Sequence, residues 1–204
     1  MAAPIIFYSD FTSPHSYLAI GAIEEVAKKH GREVDWRVIS LFQVWDAIGH
    51  QPLGKPRSKA RYVRKDFERS ARIAGLPFTM PDSFPVDAVV ARQAFYRLKK
   101  RDPALATAFA KAVFDRYWRE GKDIKTPQQI AGSTAAIGVG LDELAVAETD
   151  SEAQHDVYAM GADAAADGVF GTPFFLVDDE PFWGHDRVSH VDWHLAQDDD
   201  WSIG

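Results

Sequence analysis

The stretch DFTSPHSYLA, residues 10–19, decides how this chain is read. Pro14 has no amide hydrogen and a fixed φ, which suits the first position of a helix. That makes Ser13 the N-cap, with its hydroxyl and backbone beside the unpaired amides at the positive end of the helix dipole. A serine so placed is either a cap alone or part of an anion or thiolate site. The helix is predicted to run on from Pro14, with Ile20, Ile23 and Ala27 at i, i+3 and i+7, and to close at His30-Gly31. Before the turn, PIIFYS (residues 4–9) reads as a short buried strand. After the helix, EVDWRVI (residues 33–39) alternates, with Val34, Trp36 and Val38 on one face. A strand, a helix and a strand joined this tightly predict a βαβ unit with a parallel pair.

The middle of the chain differs in kind. From about Phe42 to Asp167 the patterning is helical and no strand stands out. Val63, Phe67, Ala71 and Ala74 form one apolar face; Leu105, Phe109, Ala112 and Val113 form another; Ile130, Thr134 and Ile137 a third. Breaks fall at GLPFTMPDSFP, KRDP, GKDIKTP and GVGLD. Strand signals return late: TPFFLVD and PFWG flank a DDE turn as a hairpin, and a last helix is expected over residues 186–196. The order predicts a split α/β domain with a large α-helical insertion.

Composition narrows the function. The chain has 204 residues, 46% hydrophobic, and carries a net charge of −7, so a sizeable core is expected, and nucleic acid or an anionic membrane is a poor partner. No apolar run approaches the ~20 residues of a membrane span, and MAAPIIFYSD lacks a basic leader, so a cytoplasmic protein is expected. There is no cysteine. Disulfides, thiolate metal sites and thiol redox chemistry of the polypeptide are thereby excluded, and any sulfur chemistry must arrive with a ligand.

Two further stretches stand out. Thr172-Pro173 opens a strand, where proline marks either the strand's first residue or a cis bond. In FWGHDR, residues 182–187, a strand ending at Trp183-Gly184 meets His185 and Asp186 at a helix start, with Asp186 the expected N-cap. His15, one residue into the first helix, is expected to be solvated. His190 and His194 have the i, i+4 spacing of metal ligands, but with no Glu-His partner and no cysteine they are read as surface residues, and no metal site is expected.

FYSDFTSPHSYLA, VFGTPFFLV and FWGHDR, in this order around a helical block, together resemble the family of 2-hydroxychromene-2-carboxylate isomerases and kappa-class glutathione transferases, relatives of the disulfide oxidoreductase DsbA. KARYVRKDFERSARIAGLPF, FPVDAVVARQAF and WREGKDI extend the resemblance through the middle. The fold it implies is a thioredoxin-like (DsbA-like) domain over residues 1–40 and 168–204, with an inserted α-helical domain over 41–167. The cofactor it implies is glutathione. Its cysteinyl backbone would pair with Thr172 ahead of a cis Pro173, and its γ-glutamyl end would lie against Trp183, Gly184, His185 and Asp186. The resemblance makes Ser13 the catalytic residue beside the sulfur, in a turn that reads C-P-H-C in the oxidoreductases. A homodimer is likewise implied.

On that reading the sulfur has moved from protein to ligand. A free thiol has a pKa near ~8.5, so making it mostly thiolate at neutral pH requires a shift of about two units, roughly 2.7 kcal/mol. A helix dipole supplies about 0.3–1 kcal/mol, at best ~2, and a hydrogen bond to a charge about 1.5–3. Ser13 is therefore expected to be a donor to the thiolate and not a nucleophile.

The resemblance implies thiolate addition to a 2-hydroxychromene-2-carboxylate, bond rotation and elimination, in aromatic catabolism. A kappa-type transferase or peroxidase is the alternative, and a non-catalytic thioredoxin-like binding module a remoter one. The substrate wall departs from the isomerase pattern, which has lysine at Trp45 and an Asn-Arg pair in the loop that here reads GHQPLGKPRSK. Candidate substrate residues are Trp45, Lys59, Tyr62 and Phe84, with Lys55 and Arg57 as further cations.

Overall fold

The computed structural model describes residues 2–50 and 57–197, the side chains of residues 57–60 excepted. The central strand is β1 (Ile5–Ser9), whose side chains face opposite sides in turn. Ile5 and Phe7 enter the main core, while Ile6 and Tyr8 enter a smaller cluster on the other face. β2 (Val34–Val38) pairs parallel with β1, setting Trp36 opposite Phe7. β3 (Phe174–Val177) pairs antiparallel on the other side, setting Phe175 opposite Phe7. β4 (Glu180–Trp183) closes a hairpin with β3, so the sheet order is β2-β1-β3-β4. The hairpin turn is two residues, Asp178 and Asp179, both at positive φ, the conformation in which a two-residue loop matches strand twist.

α1 (Pro14–Lys29) covers the Phe7 face with Leu18, Ala19 and Ile23, and α9 (Val188–Leu195) packs beside it through Val188 and Val191. Between β2 and β3 come α2 (Leu41–Ala47), α3 (Arg57–Ile73), α4 (Val89–Arg101), α5 (Pro103–Phe114), α6 (Pro127–Thr134), α7 (Leu141–Glu148) and α8 (Ser151–Ala166). α5 continues as a π-helical turn, Asp115–Arg119. α2 and α8 cover the Tyr8 face through Val44 and Ala164. α4 is buried nearly all round, from Val90 to Tyr96 and again at Leu98. Its Ala91, Ala94 and Phe95 share one apolar cluster with Phe7, Trp36 and Phe175 of the sheet.

Two expectations change. The last helix begins as a single 3-10 turn, His185–Arg187, before α9. Asp186 does not cap α9, because its carboxylate is turned to Arg187 Nη1 at 3.1 Å and the N-cap position falls to Arg187. Ala74 lies beyond α3 and is exposed, since the helix ends at Ile73 ahead of Gly75 at φ +67°.

Candidate functional site

Ser13 is extended, at φ −101° and ψ 111°, and caps α1: its Oγ accepts a hydrogen bond from the Ser16 amide at 3.2 Å. The same hydroxyl donates to the carbonyl oxygen of Thr172 at 3.0 Å, across 159 residues of chain. Thr172-Pro173 is a cis peptide. The Pro173 carbonyl in turn accepts from the Gly184 amide at 3.0 Å, so Ser13, Thr172, Pro173 and Gly184 are stitched into one surface. Trp183 stands half-exposed at its rim with its indole over Gly171, where a Cβ would come 2.4 Å from Nε1. Gly184 sits at φ +113°, and a Cβ there would meet Asp186 Oδ1 at 2.5 Å.

Three side chains, none singled out by motif, fix the turn that presents Ser13. Asp10 is buried and accepts from the Thr12 amide (2.9 Å), the Leu41 amide (2.8 Å) and Arg92 Nη2 (3.1 Å). Arg92, from α4, is buried too and also donates through Nε to the Ile39 carbonyl at 3.1 Å. Trp118, on the π-helical turn, gives its indole N–H to the Phe11 carbonyl at 2.8 Å. π-Helical turns are uncommon and concentrate near functional positions. Sequence carried a signal for Arg92, a cation inside the apolar run DAVVARQAFY, and for Asp10, next to the turn. For Trp118 it carried only its place at the head of WREGKDI, one of the stretches that extend the resemblance.

His15 is not solvated. Its Nδ1 lies 3.0 Å from Nδ1 of His185, the rings near-parallel at 17°, and the Phe67 ring meets it edge-on. Burial lowers the pKa of His185, with Asp186 and Asp66 opposing that shift. The candidate substrate residues have separate surroundings. Trp45 donates to the Phe170 carbonyl at 2.9 Å, and Phe170 meets Trp183 at 4.9 Å, which puts Trp45 on the Trp183 flank. Phe84 packs on Trp118, on the Phe11 flank. Tyr62 is 60% exposed under Arg69. The Lys59 side chain, with Lys55 and the side chain of Arg57, lies outside the described residues. Among the described residues no three His, Asp or Glu side chains gather as a metal site, and no helix is long and apolar enough to cross a membrane.

A four-stranded sheet with a cis-proline strand beside a proline-led helix defines a thioredoxin-type protein. The chain belongs to the DSBA-like thioredoxin domain family, which it matches over residues 4–196. It is 29% identical to a 2-hydroxychromene-2-carboxylate isomerase of Sphingobium xenophagum, over 96% of this chain and 99% of the relative. It is 26% identical to glutathione S-transferase kappa 2 of Caenorhabditis elegans, over 94% and 91%. A solved structure of a 2-hydroxychromene-2-carboxylate isomerase superimposes with a TM-score of 0.80 at 26% identity, covering 94% of this chain and 93% of that one. These relatives are enzymes, isomerases and a glutathione transferase.

Proposed function

We propose that this protein is a glutathione-dependent isomerase of the 2-hydroxychromene-2-carboxylate type, acting as a cytoplasmic homodimer in aromatic catabolism. The observation that carries the reading is the Ser13 hydroxyl, 3.0 Å from the carbonyl ahead of a cis proline at the head of α1, in a chain without cysteine. Bound glutathione supplies a thiolate that adds reversibly to a conjugated bond, so that the bond can rotate before elimination.

The protein's share is to hold that sulfur charged and to orient the peptide. Thr172 offers backbone to the cysteinyl unit, and Trp183, Gly184, His185 and Asp186 flank the γ-glutamyl end. Ser13 has one proton, and at rest it is given to Thr172. Turning that proton to a thiolate exchanges a neutral hydrogen bond of about 0.5–1.5 kcal/mol for a charged one of about 1.5–3. The net gain is at most ~2.5 kcal/mol, so the dipole of α1, about 0.3–1 kcal/mol, is required to reach the ~2.7 needed. Trp45, beside Phe170, and Phe84, against Trp118, are aromatic faces suited to contact with an aromatic substrate.

Ultraviolet titration of the bound thiol tests this. Wild-type protein should lower the thiol pKa by about two units, and Ser13→Ala should return it most of the way. Equal values near that of the free thiol in both proteins would end the proposal. Turnover of 2-hydroxychromene-2-carboxylate beside a generic electrophile then separates isomerase from kappa-type transferase. The second reading draws support from Trp45, an aromatic where the isomerases place lysine.

A further inference from the structure

Nδ1 of His15 and Nδ1 of His185 are 3.0 Å apart, and the two rings come from different halves of the site. His15 is in the first turn of α1, two residues after Ser13; His185 follows Gly184 in the turn after β4. At that separation one Nδ1 carries the proton and the other accepts it. A first added proton goes to an outer Nε2 and leaves the shared bond intact. A second sets two N–H groups facing each other and two cations at the positive end of α1, and the contact must open. Asp186 in its own turn and Asp66 on α3 act on His185, and Arg187 pairs with the Asp186 carboxylate at 3.1 Å. Glu25 and Lys29 of α1 and Asp192 of α9 line the groove beside His185.

We propose that His15 and His185 are positioning residues that form a proton-operated latch, fixing the distance between the sulfur end and the γ-glutamyl end of the site. The latch itself stands on the geometry of the pair; its assignment to glutathione rests on the function proposed above. Neutral pH keeps it closed. Acid opens it by parting the α1 start from the β4 turn, with Ser13 and its cap left in place.

Two measurements test it together. Imidazole NMR on the ligand-free protein should show the two rings titrating in two separated, coupled steps, and His15→Asn should collapse these to a single step for His185. Calorimetry with S-methylglutathione, which has no titrating thiol, should show affinity falling at least about fivefold between about pH 7.5 and pH 5 in wild type, and nearly flat in His15→Asn. Rings that titrate independently, or a variant that keeps the same acid loss, overturn the latch while binding at neutral pH leaves the glutathione reading standing. Coupled rings with no S-methylglutathione binding at any pH overturn that reading, and the latch's assignment to it.

Discussion

Arg92 Nη2 lies 3.1 Å from Asp10 Oδ1, with both side chains almost fully buried, and through this pair the helical layer grips the turn that carries Ser13. Removing one partner leaves an uncompensated buried charge, whereas removing both leaves mainly unpaired amides. Arg92→Leu should therefore lower stability by about 3–5 kcal/mol, and Asp10→Asn combined with Arg92→Leu by clearly less than the sum of the single changes. Denaturant unfolding of the three variants checks this; additive losses would show that the pair is uncoupled.

The Phe11 carbonyl depends on one donor, the Trp118 indole. Trp118→Phe keeps a ring against Phe78 and Phe84 but leaves that oxygen buried without its partner. A loss of about 1–3 kcal/mol is expected from the oxygen alone. Thermal denaturation measures it, and a change below ~0.5 kcal/mol would mean that another donor moves in.

Gly184→Ala meets two obstacles, positive φ and the Asp186 carboxylate 2.5 Å from the new Cβ. Gly138→Ala meets only the first, since its φ is +84° with nothing within 4 Å. Both should lose about 1–3 kcal/mol of stability. Gly184→Ala alone should also weaken S-methylglutathione by about tenfold, because Asp186 must swing away. Equal binding by the two variants would remove the Gly184 turn from the site.

Tyr17 donates to the Pro77 carbonyl at 2.7 Å, and burial pushes its pKa up to about 12, with Asp115 adding to the shift. A phenol whose pKa is higher folded than unfolded (~10) stabilises fully below ~10, and the contribution fades as pH rises toward 12. Wild type should thus lose of order 2–3 kcal/mol across that window beyond what Tyr17→Phe loses. Unfolding free energies at about pH 9 and pH 11.5 decide it, and parallel losses would assign alkaline lability elsewhere.

The sheet and its flanking helix were legible because α1 and β2 each have a wetter and a drier side, which periodicity records, while β1, buried on both faces, reads as a short apolar run. α4 has no wet side: Val90, Ala91, Arg92, Gln93, Ala94, Phe95 and Tyr96 are all buried, so no stripe distinguishes it. The site was legible where chemistry is local. Ser13 follows from the proline beside it, and Gly184 from the turn it makes. His15 and His185 are 170 positions apart, and nothing short of the folded chain brings their nitrogens together. Asp186 shows the opposite failure, since a locally favoured cap was overridden by a neighbouring guanidinium.

The interior shared by Phe7, Trp36 and Phe175 with Ala91, Phe95 and Phe109 bears on how this protein can be altered. A scaffold whose layers meet through separate interiors tolerates exchange of one layer between relatives. Here the sheet would be stripped of its own interior by such a swap, so chimaeras should be cut at loop tips and recombined as whole folds. Variation in what the enzyme accepts is more readily sought at Trp45 and Phe84, each on its own flank, than by transplanting helices.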